Sequence, residues 1–271
     1  MPHTPSFDLH IHAGAERDFT FEDLADRLAG ENVSAIGVVD HLELYVDRKP
    51  VWAAEAWSWL AENDRLLYGD DTRGLLELLD DFAYFSELCK VPVRRGIETA
   101  GKDPIPREIA GKMDFVGLCI QDMGSAGPDW AEGLILQIER FAEAIEPLGV
   151  PGVIHHPFRP RLFALKKSAP AAPGEWRKAL DGESLKRLAG RVVRSGLSLE
   201  INGMTAKSIA EEPGAIESLC GAYAAMKNMG VPFSLGSDRH GLEPAYSLHE
   251  LARQAGLKRS NCPILKRLSV P

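Results

Sequence analysis

The amino-acid sequence predicts an α/β protein whose core is a sheet of parallel strands. Short apolar runs rich in β-branched residues alternate with amphipathic helical patterns, which is typical of successive βα units. The chain has 271 residues, of which 45% are hydrophobic, so one large domain can bury a full core. Histidines and carboxylates stand where the apolar runs end. The strand ends are therefore the expected place for a functional site.

The strands are predicted from apolar runs that are short and bounded by turn-forming residues. Successive side chains of such a run alternate between the two faces of the sheet. In chain order the predicted strands are residues 7–12, 35–41, 91–98, 114–121, 150–156, 197–202 and 232–238.

The helices are predicted between these strands from apolar residues that recur at helical spacing. Asp18 or Thr20 is placed to cap the first helix. Glycines that can end helices follow several of the patterns, namely Gly30, Gly149, Gly196 and Gly230. The predicted helices are residues 21–29, 51–67, 73–89, 130–146, 183–194, 215–229 and 248–255.

Two longer segments interrupt the alternation of strands and helices. Residues 42–90 form a predicted helical insertion, and its first helix carries Trp52, Trp57 and Trp59. The insertion could cover a site, but we favour apolar packing on the outside of the domain or against a second subunit. Residues 158–177 follow a His-His-Pro sequence and are rich in proline, alanine and basic residues. A loop of this length in a compact domain is usually functional or disordered.

The composition disfavours several classes of partner. The chain has 31 Lys and Arg against 39 Asp and Glu, a net charge of −8, and no basic cluster stands out. A nucleic-acid partner is not expected, because affinity for a phosphate backbone needs clustered Lys and Arg. No apolar run has the length of a membrane span or a signal-peptide core, so we expect a cytoplasmic protein without a membrane partner. The four cysteines have no metal-finger or redox spacing and are interpreted as reduced, mostly buried thiols.

The first predicted strand carries the motif Asp8-Leu9-His10-Ile11-His12. Two histidines one residue apart on a strand point to the same face, so both imidazoles can reach one metal ion. Further histidines stand at or beside later strand ends, and in a barrel of parallel strands those ends meet on one face. Including the first pair, the set is His10, His12, His41, His155, His156 and His240.

In six short motifs the chain resembles the polymerase and histidinol phosphatase (PHP) superfamily, in the family's order. Besides the His-x-His motif they are Val39-Asp40-His41, Gly96-Ile97-Glu98, His156-Pro157, Leu199-Glu200-Ile201-Asn202 and Gly236-Ser237-Asp238-Arg239-His240. The resemblance runs through nearly the whole chain. It implies a single domain over residues 1–271 with the fold of a distorted (β/α)7 TIM-like barrel. It also implies two to three divalent ions, zinc, manganese or iron, and hydrolysis of phosphate esters.

The resemblance also implies which residues bind two of these ions. His10, His12 and Asp238 correspond to ligands of the first ion. Glu98 corresponds to a bridge between the first ion and the second. His156 corresponds to a further ligand of the second ion.

A third ion is implied near His41 and His240. Asp18 is the candidate for its remaining ligand, with a helix N-cap as the alternative role of this residue. Asp40 and Asn202 are candidates for groups that orient the imidazoles or a bound water.

One position departs from the family's pattern. Where the phosphatase branch usually has a histidine that helps to hold the second ion, counting from Asp114 leads to Gln121. A neutral amide oxygen is a weak zinc ligand beside imidazole. Three outcomes are open: a loosely held second ion, a different metal, or a site in which His155 or Asp122 takes the place of Gln121.

The leading hypothesis is a metal-dependent phosphoesterase that hydrolyses a small phosphorylated metabolite by attack of a metal-bound hydroxide. The leaving oxygen could be protonated by a metal-bound water, or by Asp238 or His240 if either is not bound to its ion. Arg159 and Arg239 could bind the phosphate, although we favour a salt bridge for each. The alternatives are a hydrolase of an amide or lactone, and a degenerate member that binds metal without catalysis. The substrate, the native metal and the oligomeric state are left open by the sequence.

Overall fold

The computed structural model describes most of the barrel but leaves the two long segments largely outside it. The helix predicted at residues 51–67, with its tryptophans, and most of the loop at 158–177 lie outside the described residues. The described residues are 6–12, 19–31, 33–42, 82–99, 105, 107–120, 130–159, 161–162, 180, 182–242 and 246–268.

The described part of the chain contains one parallel sheet of seven strands, paired in the order in which they occur along the chain. Each predicted strand is confirmed, with ends that differ by at most a few residues. The strands are β1 (Asp8–His12), β2 (Ile36–Val39), β3 (Val93–Thr99), β4 (Phe115–Cys119), β5 (Gly152–His155), β6 (Ser198–Asn202) and β7 (Phe233–Gly236).

The last strand returns to the first, so the sheet forms a nearly closed barrel. The backbone N–H of Asp238 donates to the carbonyl of His10 at 2.8 Å, and that of His12 donates to the carbonyl of Arg239 at 2.9 Å. Strand β1 contains an irregularity between Asp8 and Ile11, where its register with β2 shifts. Such bulges often reorient side chains near functional sites. The expected seven-stranded TIM-like barrel is confirmed.

Helices cover the outside of this sheet and follow the predicted pattern where they are described. Residues 82–88, at the end of the predicted insertion, are also helical. Three short helices of four to seven residues were not predicted: α2 (Arg107–Ala110), α5 (Gly203–Ile209) and α8 (Ile264–Arg267). The helices are α1 (Phe21–Ala29), α2 (Arg107–Ala110), α3 (Trp130–Ile145), α4 (Gly182–Ser195), α5 (Gly203–Ile209), α6 (Ala215–Asn228), α7 (Leu248–Gln254) and α8 (Ile264–Arg267).

Helix α1 begins with a capping box. The Thr20 hydroxyl accepts a hydrogen bond from the backbone N–H of Asp23 at 3.1 Å, and the Asp23 carboxylate accepts from the backbone N–H of Thr20 at 3.2 Å. Of the two predicted caps, Thr20 therefore has this role. The two hydrogen bonds pair backbone N–H groups at the start of the helix that would otherwise lack a partner.

Aromatic side chains fill the layer between the sheet and its helices. Trp130 of α3 meets Phe158 edge-on, with ring centroids 6.2 Å apart, and Tyr223 of α6 meets Phe233 of β7 in the same way at 6.2 Å. All four are buried. Through these contacts α3 and α6 pack against the sheet, and the close packing supports the strand ends. No helix among the described residues is long and apolar enough to cross a membrane.

Candidate metal centre

The carboxyl ends of the strands bring most of the predicted ligands together inside the barrel. These side chains are polar, yet each residue has at most 7% of its surface exposed. Burying polar groups costs free energy unless they are paired with one another or with a ligand. The buried cluster consists of His10, His12, His41, Glu98, His155, His156, Glu200, Asn202 and Asp238.

His10 and His12 of β1 point at a common position, as the alternation along a strand predicted. Their Nε2 atoms are 3.1 Å apart. On the other side of its ring, His10 places Nδ1 2.8 Å from Oε1 of Glu200. A proton on Nδ1 makes this hydrogen bond and leaves the lone pair of Nε2 directed at His12. This is the tautomer of a metal-binding histidine that a carboxylate holds in place.

Two carboxylates complete the first group of ligands. Oδ1 of Asp238 lies 3.4 Å from Nε2 of His12 and 3.7 Å from Nε2 of His10. Oε2 of Glu98 lies 3.7 Å from each of the same two nitrogens. Nitrogen and oxygen ligands at about 2.0 to 2.1 Å from a tetrahedral zinc ion are roughly 3.3 Å apart. These separations are close to the edges of such a site, and His10, His12 and Asp238 form one of the buried groups of possible metal ligands.

Glu98 is central because each of its oxygens faces different histidines. Oε2 is buried and has no hydrogen-bond partner among the described residues, and it lies 3.3 Å from Nδ1 of His41. Oε1 lies 2.9 Å from Nδ1 of His155 and 3.1 Å from Nε2 of His156. A cation bound between Oε2 and the histidine nitrogens would give this buried oxygen a partner. The arrangement fits a carboxylate that bridges two ions.

His41 and His240 lie against His12 on the side of the predicted third ion. The rings of His12 and His240 stack with centroids 4.0 Å apart, and those of His12 and His41 are 4.9 Å apart. Asp18, the candidate for the remaining ligand, lies outside the described residues. Binding of a third ion therefore stays a prediction.

Two of the candidate ligands have backbone conformations that side chains rarely adopt. His156 directly follows β5 with φ 31°, and Asp238 follows β7 with φ 58°. Residues other than glycine in the left-handed region cost free energy and concentrate at functional sites. Both turns aim the side chain inward at the point where the strand ends.

The electrostatics of the cluster favour a cation at its centre. Burial opposes protonation of His10, yet Glu200 and the neighbouring carboxylates raise the pKa of this ring well above its usual value. Burial, together with His240, lowers the pKa of His12 to about 3, so this ring is neutral and can bind a metal. Burial also opposes ionisation of Glu98, but the surrounding imidazoles hold its pKa well below the usual range.

The two arginines that were candidates for phosphate binding differ in position. Arg159 donates from Nη1 to Oδ2 of Asp238 at 3.0 Å, and 32% of its side chain is exposed. It lies at the edge of the cluster, where a ligand could reach it. Arg239 is buried and pairs with Glu31 at 2.8 Å and with Asp8 at 3.4 Å. The contacts of Arg239 fit the salt bridge rather than phosphate binding.

Glu200 is a functional residue that the sequence reasoning did not single out. Besides His10, its carboxylate accepts hydrogen bonds from the backbone N–H of His156 at 2.8 Å and from Nδ2 of Asn202 at 2.9 Å. It thereby joins candidate ligands of two ions. Its position in the sequence could have indicated this role. Glu200 and Asn202 are two residues apart at the end of β6, so they share a face of the strand, as His10 and His12 do in β1.

The proposed orienting residues have contacts of different kinds. Asn202 caps α5 by accepting from the backbone N–H of Thr205 at 2.7 Å, and its Nδ2 lies 3.4 Å from Oδ2 of Asp238. It therefore touches the carboxylates of the cluster. Asp40 accepts from the backbone N–H of His41 at 2.9 Å, so it shapes the turn that presents this imidazole.

The residues at the end of β4 bear on the second ion. Gln121 and Asp122 lie outside the described residues. Cys119, the last residue of β4, places Sγ 3.7 Å from Nε2 of His156. Glu98, Cys119 and His156 form a buried group whose ligand atoms all lie within 4.8 Å of one another. The sequence interpretation of this cysteine as a buried thiol missed its position, because its neighbours come from other strands.

Comparisons with known proteins bear on the fold. No protein-family model and no curated protein matches the sequence. A solved structure of histidinol phosphate phosphatase from Lactococcus lactis, complexed with zinc, L-histidinol and phosphate, matches with a TM-score of 0.58. The match has 13% sequence identity and covers 93% of this chain and 94% of that chain. A Bacteroidetes-affiliated GH5 cellulase matches with a TM-score of 0.45 at 10% identity, over 100% of this chain and 96% of its own. The first match confirms the fold that the PHP resemblance implied.

Proposed function

We propose that the chain is a metal-dependent phosphoesterase of the PHP superfamily, which hydrolyses a phosphate ester of a small metabolite. The observation that carries the proposal is the buried Glu98 carboxylate, with histidine nitrogens facing both of its oxygens. The shared fold with a histidinol phosphate phosphatase supports it. Two ions, and a third if Asp18 supplies a ligand, would lie at the strand ends.

The residues of the chain divide into ligands and positioning groups. His10, His12 and Asp238 would hold the first ion, His156 would bind the second, and Glu98 would bridge them. Bound divalent ions would lower the pKa of a coordinated water and offset the charge that develops on the phosphoryl oxygens. No covalent attack by a side chain is required.

Arg159 and His240 are proposed to act on the substrate. Arg159 is partly exposed and already faces the carboxylate of Asp238, so its guanidinium can move to a phosphate oxygen with little rearrangement. His240 stacks on the ring of His12, and its proposed role, if it is not bound to an ion, is to protonate the leaving oxygen. Arg239 is left out of this group because it is held by Asp8 and Glu31.

The test is the release of inorganic phosphate from a panel of phosphate monoesters and diesters, histidinol phosphate among them. The full-length protein is stripped with a chelator and reloaded with zinc or manganese. His10→Ala should abolish release, whereas His249→Ala, which removes an exposed histidine of α7, should leave it unchanged.

The contradicting result is a protein that binds its ions but releases phosphate from no ester. That outcome would exclude the phosphoesterase and direct the search to amide and lactone substrates, whose hydrolysis yields a carboxylate instead of phosphate.

A further inference from the structure

We propose that the thiolate of Cys119 is a ligand of the second ion, together with Glu98 and His156. The proposal rests on the metal centre of the proposed function and assigns a ligand that the sequence analysis did not consider. It also bears on the question raised by Gln121, since Cys119, the last residue of β4, would supply a strong ligand to the second ion.

The geometry of these three side chains fits one tetrahedral ion. Sγ of Cys119 lies 3.7 Å from Nε2 of His156, and that nitrogen lies 3.1 Å from Oε1 of Glu98. For zinc bonds of about 2.3 Å to sulfur and 2.0 to 2.1 Å to nitrogen or oxygen, tetrahedral ligands are roughly 3.6 Å and 3.3 Å apart respectively. Both observed separations lie within a few tenths of an ångström of these values.

Hydrogen bonds among these three atoms cannot use both of the close contacts. If Nε2 of His156 carries a proton, it can donate to Glu98 but has no lone pair left for the thiol of Cys119. If Nε2 is unprotonated, its lone pair faces a carboxylate oxygen at 3.1 Å, which is repulsive. A cation between the three atoms removes the conflict, because all three then act as electron-pair donors to it.

The barrel brings these ligands from three neighbouring strands. Glu98 belongs to β3, Cys119 ends β4, and His156 follows β5. Cys119 and His156 are also buried, at 3% and 4% exposure, so bulk water does not compete strongly for the ion. His155 faces Glu98 as well, and its Nδ1 lies 2.9 Å from Oε1 of Glu98, within hydrogen-bonding distance. We therefore assign His155 to orienting Glu98.

A thiolate ligand changes which metal the second site prefers. Sulfur, imidazole and one carboxylate suit zinc or cobalt, whereas manganese and magnesium favour oxygen ligands. Binding converts the thiol to a thiolate and releases its proton to solvent, with no change in oxidation state. The second site should therefore bind zinc more tightly than manganese.

The experiment is a cobalt(II) titration of the full-length, chelator-stripped protein, followed by absorption spectroscopy. Thiolate coordination gives an intense sulfur-to-cobalt charge-transfer band in the near ultraviolet, which nitrogen and oxygen ligands do not give. We expect this band in the wild-type protein and in Cys262→Ser, which removes a buried thiol outside the cluster. We expect its loss in Cys119→Ser.

The outcomes separate this proposal from the proposed function. Cobalt d–d bands without the charge-transfer band, or a charge-transfer band that persists in Cys119→Ser, would overturn the role of Cys119 and leave the metal centre standing. Absence of any cobalt binding would overturn both the role of Cys119 and the metal centre of the proposed function. Because Cys119→Ser could also unfold the chain, its circular dichroism is compared with that of the wild type. If that variant is unfolded, the presence or absence of the charge-transfer band in the wild type decides whether a thiolate binds the ion. Among the described residues, Cys119 is the cysteine that belongs to a buried group of possible ligands.

Discussion

Glu200 holds together candidate ligands that are far apart along the chain. Its carboxylate contacts the ring of His10, the backbone of His156 and the amide of Asn202. Groups of this kind fix the tautomer and orientation of a metal-binding histidine without touching the metal. Glu200 is therefore a positioning residue of the centre.

Replacing this carboxylate by an amide should weaken metal binding without removing a ligand. For Glu200→Gln we expect zinc affinity to fall by about 10-fold to 100-fold, measured by competition with a chromophoric chelator. Glu211→Gln, an exposed position in the turn after α5, is the matched control and should bind like the wild type. Unchanged affinity in Glu200→Gln would show that its hydrogen bonds do not support the ligands.

At the residue scale, the sequence predicted the direction of a side chain wherever local geometry decides it. His10 and His12 were predicted to share a face because a strand repeats every second residue, and their Nε2 atoms do meet. Cys119 and Glu200 were not assigned, because their roles depend on distances between strands. Those distances follow from the packing of the barrel, which no local pattern contains.

Gly236 allows strand β7 to lie close to Glu200 of β6 and His10 of β1. A methyl group on Gly236 would lie 1.9 Å from Oε1 of Glu200 and 2.4 Å from Cβ of His10. These contacts are too short for any side chain, so β6 and β1 can approach β7 only where it has none.

Gly236→Ala should therefore displace Glu200 and His10 and reduce both zinc affinity and thermal stability. Both are measured on the purified variant by chelator competition and thermal unfolding. The control is Gly221→Ala on α6, where nothing lies within 4 Å of the added methyl group. Because alanine favours a helix by about 0.5 to 1 kcal/mol over glycine, the control should be slightly more stable than the wild type. A Gly236→Ala protein with wild-type affinity would contradict the tight approach of the three strands.

Helix α1 offers a test of local structure away from the ligands. Loss of the Thr20 hydroxyl in Thr20→Ala removes the N-cap hydrogen bond to Asp23, so we expect the free energy of unfolding to fall by about 1 kcal/mol. The measurement is urea denaturation. Thr20→Ser keeps the hydroxyl and should stay close to the wild type. Equal destabilisation by both variants would show that the methyl group, not the cap, is responsible.

At the element scale, the sequence predicted strands and long helices better than short helices. The seven strands and helices such as α1 and α3 show a clear period over their length, whereas α5 has seven residues and α2 and α8 have four each. Helix α5 starts because Asn202, the last residue of β6, caps it. The sequence analysis considered Asn202 only for the site, and its capping role was missed.

At the scale of the whole molecule, the charges of the buried centre should make stability depend on pH when no metal is bound. The pKa of His10 is raised, so its contribution is fully present below about pH 6.5 and is lost as the pH rises through the raised value. Burial opposes ionisation of Glu98 and Asp238, but the surrounding cations hold their pKa values low. Their contribution is present above about pH 4 and is lost as the pH falls through the lowered values.

The chelator-treated protein should therefore lose thermal stability between pH 6 and pH 9. The loss should be smaller in His10→Ala, which lacks the titrating ring. Saturating zinc should raise the unfolding temperature most at the alkaline end, since binding must displace the proton of His10. Thermal unfolding of the wild type and of His10→Ala, in chelator and in zinc at several pH values, measures these three effects. A metal-free protein whose stability is the same at pH 6 and pH 9 would contradict the electrostatic account of the centre.

The overall architecture was predictable because a barrel repeats one unit. The alternation of strands and helices predicted a parallel sheet with its site at the strand ends, and the resemblance to the PHP superfamily implied that this sheet closes into a barrel. The same fold occurs in a phosphatase that shares 13% sequence identity. The substrate was left open by the sequence, and the two long segments at residues 42–90 and 158–177 lie largely outside the described residues.

The most direct test of the account is a count of the metal ions bound per chain. The account places Glu98 between two ions, so the full-length wild-type protein, loaded with zinc and freed of excess metal, should hold at least two ions by elemental analysis. Glu98→Gln should lose affinity at both sites and hold fewer than one, with His249→Ala as the unchanged control. A wild-type protein that binds no zinc, or a Glu98→Gln variant that keeps the full count, would contradict a metal centre organised around this carboxylate.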